Sequence, residues 1–329
     1  MWPAILTVSR MRKGRRLDGW LVLDKPPGLS SGAAVARAKR LLGAAKVGHA
    51  GTLDPLATGV LPLAFGEATK TVAYLVDGDK SYRFTIRWGE ARTTGDKEGE
   101  VTESSPVRPS AEEIEAALPA FTGEIAQVPP VYSAIKVDGR RAYALARAGD
   151  EVKLHPRQVR IDRLVLEGID DADHATFRVD CGKGTYIRSL AADLAAALGT
   201  LGHLAALRRL AVGRFTLDTA ITLDRLEALG AAAEQALLPV ETALSAVPEL
   251  FVSESQCRRL GQGQPLPLEQ LSPDAPDRYP AEGTVVRACH AYGETGEAPI
   301  GARLVALARR EGAVLRPLRI LHLSAHPAG

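Results

Sequence analysis

The alternation of apolar and polar positions sets out most of the elements. Residues 20–23 form a short apolar run that stops at Asp24-Lys25-Pro26-Pro27-Gly28, which predicts a strand entering a rigid turn. Ser30 and Ser31 can cap a helix that sets Val35, Ala38 and Leu42 on one face and Arg37, Lys39 and Arg40 largely on the other, with Gly43 at its end. Tyr82, Phe84, Ile86 and Trp88 alternate with Arg83, Thr85 and Arg87, as in a half-buried strand. Ser110 and Glu113 form a capping box opening a helix marked by Ile114, Leu118 and Phe121. Phe177, Val179 and Cys181 predict a strand, and the stripe Leu190, Leu194, Leu198 a helix soon after it. From about 246 onward, apolar runs at 284–288, 303–307 and 318–323 lie between Gly and Pro turns, as in a small all-β domain of roughly 80 residues.

Two stretches break these periods. Residues 48–63 hold three glycines and two prolines and predict a shaped loop, the kind of segment where function concentrates. Residues 129–158 have no clear period and many bases and tyrosines, which predicts an extended, mobile insertion.

A chain of 329 residues suits two domains, and 46% hydrophobic with 24% charged residues is a globular balance. Charge is unevenly placed. Residues 1–50 carry ten Lys/Arg against two acids, and 136–163 carry eight against four, whereas 220–300 carry five against twelve. Two basic segments suit a polyanion running across one face, although solvated surface explains them equally well. Three widely spaced cysteines imply neither a disulfide framework nor a metal site, and no run is long enough to span a membrane. The amino terminus is apolar before it is basic, the reverse of a signal peptide, so a cytoplasmic setting without membrane insertion is expected.

The loop is not a phosphate cradle: the nearest Lys-Thr, Lys70-Thr71, follows Thr69 rather than Gly. A lone Asp54-Pro55 would be an ordinary turn. The full string Gly48-His49-Ala50-Gly51-Thr52-Leu53-Asp54-Pro55-Leu56-Ala57-Thr58-Gly59-Val60-Leu61, however, resembles the catalytic motif of the TruB family, the bacterial tRNA pseudouridine-55 synthases. Further motifs follow in family order: Leu23-Asp24-Lys25-Pro26-Pro27-Gly28, Asp79-Lys80-Ser81-Tyr82-Arg83, Gly182-Lys183-Gly184-Thr185-Tyr186-Ile187-Arg188, Leu207-Arg208-Arg209 and Gly213-Arg214-Phe215. Pro129-Pro130-Val131-Tyr132-Ser133-Ala134-Ile135-Lys136 resembles the start of the family's RNA-gripping thumb. One departure is Ala50, where the family commonly has Thr; it removes a hydroxyl from the loop but no group that the chemistry needs.

The resemblance implies Asp54 as nucleophile, Arg188 as its partner and Tyr82 stacked on a flipped uracil, with the phenol assisting loss of the C5 proton. It implies RNA contacts at His49 and Lys136, a uracil pocket lined by Tyr186 and Leu207, and Lys25 and Pro26 as buttresses of the loop. Ordinary core roles would also suit Tyr82, Tyr186 and Leu207, and a lone His is usually structural. Making pseudouridine breaks N1–C1′ and joins C5 to C1′, so the product is an isomer and no cofactor, metal or redox partner is needed. An ionised carboxylate in a sheltered site is needed. An arginine partner is expected to hold that carboxylate below its free value, and to grip it with a planar two-point fork.

The expected architecture is α/β (α+β): a catalytic domain at 18–245 on a mixed, largely antiparallel sheet, with a thumb at about 129–158, and a PUA-like RNA-binding β domain at 246–329. Residues 1–17 are expected to be an extension, and 1–10 to be dispensable. The implied partner is the T-arm stem-loop of tRNA, with no protein partner and a monomeric enzyme. Two other classes are weighed. A non-catalytic RNA-binding protein would not need Asp54, Tyr82 and Arg188 together, and a glycosidase-like hydrolase would need a second carboxylate that the loop does not offer.

Overall fold

The computed structural model describes residues 14–133, 135–137, 139–148, 150, 152–271, 279–295 and 298–323; the segment expected to be dispensable, 1–10, lies outside them. A nine-stranded sheet runs Gly19–Lys25, Thr58–Phe65, Gly202–Val212, Lys80–Trp88, His174–Cys181, Arg157–Ile169, Gly123–Gln127, with Val47–His49 and Phe215–Thr216 paired at its side. Every pairing in it is antiparallel except Gly202–Val212 with Thr58–Phe65. The mixed, largely antiparallel sheet is thus as expected.

The strand Gly19–Lys25 is apolar on both faces because it lies between two cores. Its Leu21 and Leu23 join the cluster with Ala34 and Ala38 of the helix Ser31–Leu41 and Leu190 and Leu194 of the helix Ile187–Ala197. Its Trp20 and Val22 join Phe215, Val240, Leu304 and Leu307 on the other side. Successive side chains of a strand point to opposite faces, so one run of four apolar residues serves both layers. Ser30 caps the first helix as expected, accepting from Ala33 N at 3.2 Å. The alternation at 82–88 also holds, with Phe84, Ile86 and Trp88 at most 2% exposed. The capping box of Ser110 and Glu113 is formed as well.

Four expectations need correction. The irregular loop is shorter than 48–63, because Val47–His49 and Thr58–Phe65 are strands. Gly59 and Pro62 mislead for identifiable reasons. At Gly59 (φ 96°) a Cβ would fall 2.2 Å from the Arg209 carbonyl oxygen, so a close strand crossing requires glycine. Pro62 O accepts from Ala50 N at 2.9 Å. The missing N–H of Pro62 faces that same side, where the ladder is interrupted.

The thumb is less extended than expected: it holds the hairpin Lys136–Val137 with Arg140–Arg141 and the helix Ala142–Arg147. The carboxy-terminal runs form long strands, Val285–Thr295, Ala298–Glu311 and Val314–Ile320, in a separate five-stranded sheet. Gly293 and Gly301, together with register shifts at 288/289 and 307/308, interrupt their apolar period. The end of the expected amino-terminal extension joins the fold, with Arg15 N donating to Gly43 O (2.7 Å) and Ala45 N to Arg15 O (2.8 Å).

Candidate active site

The Asp54 loop is built before any side chain reaches into it. Ser31 is 2% exposed, and its Oγ donates to Leu53 O (2.9 Å) while accepting from Leu53 N (2.8 Å). Gly28 N donates to Pro55 O (2.8 Å) and Ala57 N to Asp54 O (3.1 Å). Leu53, Leu56 and Ala57 are buried in the helix-side core, and Ala50 is fully buried in the other cluster. The alanine that departs from the family pattern therefore sits among apolar side chains, where a methyl needs no partner.

Of the two residues expected to buttress this loop, Lys25 reaches it and Pro26 is exposed. Lys25 is fully buried, and its Nζ donates to the carbonyls of Pro26 (2.9 Å), Leu29 (2.6 Å) and Pro55 (3.2 Å). Burial lowers its pKa to about 8, partly opposed by the charge of Asp54.

Arg188 meets Asp54 as its partner, Nε to Oδ2 at 3.0 Å. The contact is single and not the expected fork. Nη1 donates to Thr94 O (2.9 Å) and Nη2 to Tyr132 O (2.8 Å), so the guanidinium divides its donors among three elements. Arg188 lies in the first turn of Ile187–Ala197, where the helix disfavours positive charge, and its side chain is 7% exposed. The carboxylate expectation is also reversed. Burial raises the Asp54 pKa above its ordinary value; Arg188 opposes this, while the charge of Asp96 adds to it.

Asp96 is a site residue that the sequence did not reveal. It is 4% exposed, accepts from Thr94 Oγ1 (2.6 Å) and Glu98 N (3.1 Å), and its Oδ2 lies 3.8 Å from Arg188 Nε. It comes from a loop some forty residues beyond Asp54, and no local motif marks it. It supplies the second carboxylate that a glycoside hydrolase would need, yet it is buried and committed to its own loop and to Arg188, so the hydrolase reading gains little.

Tyr82 is 9% exposed on the strand Lys80–Trp88. Burial raises its phenol, Arg209 pulls it down and the charge of Asp54 raises it further, which places it in the same electrostatic neighbourhood as the loop. Leu207 is 9% exposed, pairs with Phe84 across the sheet and belongs to the core cluster that includes Tyr82, Leu53 and Ile187. Tyr186 precedes the helix, and its backbone is clamped by Gln127: Tyr186 N donates to Oε1 (2.8 Å) and Nε2 to Tyr186 O (3.1 Å). That clamp was also not legible, because a glutamine at a strand end carries no periodic signal. His49 ends the strand Val47–His49 with its Nδ1 buried and without a hydrogen-bond partner among the described residues, and burial followed by the Arg209 charge lowers its pKa. Lys136 lies in the thumb hairpin, and its side chain is outside the described residues.

Asp54, Arg188, Tyr82, Lys25 and Leu207 thus come from five separate segments to one place. Residues 39–187 match the TruB family pseudouridylate synthase N-terminal domain, and 188–245 the tRNA pseudouridylate synthase B C-terminal domain. The chain is 52% identical to tRNA pseudouridine synthase B of Rhodospirillum rubrum over 318 residues, 96% of this chain and 100% of that one. It is 51% identical to tRNA pseudouridine synthase B of Caulobacter sp. (strain K31) over 320 residues, again 96% and 100%. Among solved structures it is similar to a chain of a Cbf5-Nop10-Gar1 complex (TM-score 0.67, 26% identity, 92% of this chain and 84% of that chain). The chain belongs to the TruB family of pseudouridylate synthases.

Proposed function

We propose that this chain isomerises uridine 55 in the T loop of tRNA to pseudouridine, with Asp54 as the nucleophile. The observation that carries the assignment is the Asp54 carboxylate on a tightly bonded loop, 3.0 Å from a nearly buried Arg188. A carboxylate held in one direction in a sheltered site is what nucleophilic attack on the nucleotide requires. The target uridine flips out of its loop at a cost of about a few kcal/mol, which RNA contacts offset. Tyr82 stacks on the flipped base above Leu207 and Tyr186, and its phenol assists the last step. There the C5–H electron pair becomes the C5–C6 double bond and N1 takes up a proton.

The choice of tRNA rests on the 52% and 51% identical relatives named for that substrate. His49 and Lys136 contact the RNA, and the thumb at 129–158 grips it. The carboxy-terminal sheet reads as a PUA-like RNA-binding domain. Supporting this, a 440 Å³ cavity beside the helix Glu254–Gly261 is lined by Arg16, Arg303 and His290 and by Arg258, which is paired with Glu254 of the same lining (2.7 Å). The active enzyme is read as a monomer. Three buried free cysteines suit a reducing cytoplasm. Among the described residues no helix is long and apolar enough to cross a membrane.

The direct test incubates the protein with a T-arm stem-loop and maps carbodiimide adducts by primer extension. A stop at the position-55 uridine is expected. Reaction only at another uridine would reject the position, and no reaction with the stem-loop or with whole tRNA would reject the activity.

A further inference from the structure

Two residues beyond Leu207, the strand Gly202–Val212 carries a second arginine buried near the site. Arg209 is 1% exposed, one of the largest side chains so enclosed. Its neighbour Arg208 pairs with Asp24, Nη2 to Oδ2 at 2.8 Å. Arg209 instead meets carbonyls: Nε donates to Val60 O (2.7 Å) and Nη2 to Gly51 O (3.0 Å). Gly51 is needed for that approach, since it has φ 85° and a Cβ there would lie 3.2 Å from Nη1. In the sheet Arg209 is the direct cross-strand partner of Tyr82, and such pairs project from the same face.

A guanidinium enclosed this fully and held by carbonyls keeps its positive charge at high desolvation cost. Its field reaches several groups of the site. It lowers His49, Lys25 and Lys80 in addition to burial, and it opposes the burial of the Tyr82 phenol.

We infer that Arg209 is a positioning residue for Tyr82: its guanidinium, anchored on the carbonyls of Gly51 and Val60, holds the phenol toward the Asp54 loop. The same anchor ties the strand pair carrying Tyr82 to the loop carrying Asp54, so both groups share one frame. This inference rests on the proposed role of Tyr82 in loss of the C5 proton. Apart from that role, Arg209 would be a packing residue whose loss changed stability alone.

The test uses the full-length chain grown with 3-fluorotyrosine, with the Tyr82 fluorine resonance identified by its loss in Tyr82→Phe. In Arg209→Met, the Tyr82 titration midpoint is expected to rise by at least about one pH unit, because a cation near the phenol is removed. Pseudouridine formation on a T-arm stem-loop is expected to fall at least about tenfold, while stem-loop binding stays within about threefold. Arg209→Lys keeps the charge and loses the fork, so its midpoint stays near wild type and its rate recovers in part. If Arg209→Met does not fold, Arg209→Gln carries the same expectation. An unchanged Tyr82 midpoint, or a wild-type rate, in the variant without the charge would overturn the inference. A wild-type rate in Tyr82→Phe would instead reject the role of Tyr82. A slow Tyr82→Phe beside a wild-type Arg209→Met would reject Arg209 alone.

Discussion

The catalytic loop at 50–57 and the thumb at 129–158 both interrupt the periodic pattern of the sequence, yet the fold holds them in different ways. The loop is bonded from several sides by buried groups: Ser31 on Leu53, Lys25 on Pro55 and Arg209 on Gly51. The thumb is tied to the body at its root, through Ser189 Oγ to Val128 O (2.7 Å) and Arg188 to Tyr132 O (2.8 Å). Beyond the root it makes local bonds, such as Ala142 N to Ile135 O (2.7 Å) and Tyr143 N to Ser133 O (3.1 Å). Val128, Val131 and Tyr143 remain exposed. Under the proposed function, chemistry is placed on a segment organised in advance, and recognition on a segment that can gain contacts from its partner.

The largest effect is expected inside the loop. Asp54→Asn should lower product formation by at least about 10³-fold, because the nucleophile is lost without a change of shape. Binding of tRNA by filter retention should stay close to wild type. Near wild-type turnover would remove the nucleophile assignment.

Arg188→Lys should slow single-turnover product formation roughly 10²-fold, the scale expected for misplacing a reacting group. The reason is no longer a fork on Asp54. A lysine cannot reach Asp54, Thr94 and Tyr132 together, so loop, hairpin and thumb root lose their common tie. An unchanged rate would make that tie irrelevant.

Next comes acidity. Asp54 must be ionised to attack, and its pKa is raised by burial. The rate should therefore fall as pH drops through a value above the ordinary 3.8 of an aspartate. Asp96→Asn removes a charge that raises Asp54, so the acid limb should move to lower pH. A rate–pH profile in which that limb stays in place would deny the coupling between the two carboxylates.

A smaller change should loosen the loop without touching its chemistry. Ser31→Ala leaves the Leu53 N–H and C=O without their buried partner, at a cost of about 1–3 kcal/mol in urea unfolding. No loss of stability would mean that water replaces the hydroxyl and that the loop is less enclosed than its bonds suggest.

The smallest and most local effect belongs to the thumb. Its backbone amides should gain protection from hydrogen exchange when a T-arm stem-loop binds, while those of 50–57 change little. Equal protection of 129–158 in both states would place thumb and loop in one class.

Much of this was legible in residue order alone. The strand at 82–88, both helix caps and the Leu190–Leu194 stripe follow from periods of two and 3.6 and from polar residues at helix starts. The motif around Asp54 and the pairing with Arg188 were reachable through the family resemblance that their strings carry, not through local order alone. Local order could not reveal that Gly59 and Pro62 lie inside a strand, since each is tolerated only by what crosses beside it.

Asp96, Gln127 and the reach of Arg209, a motif residue, to Gly51 were beyond sequence reading for the same reason. Each acts on a segment dozens of residues away or more, and each is polar in a place where no period predicts burial. The direction of the Asp54 shift was likewise undecided by its partner's identity. An arginine alone would lower it, but enclosure by the folded chain and the arrival of Asp96 outweigh that. Residue types along the chain determined which groups could react. Their tertiary packing decided how dry the site is, how many ways Arg188 is divided and which charges surround Asp54, because desolvation and Coulomb energy depend on neighbours in space.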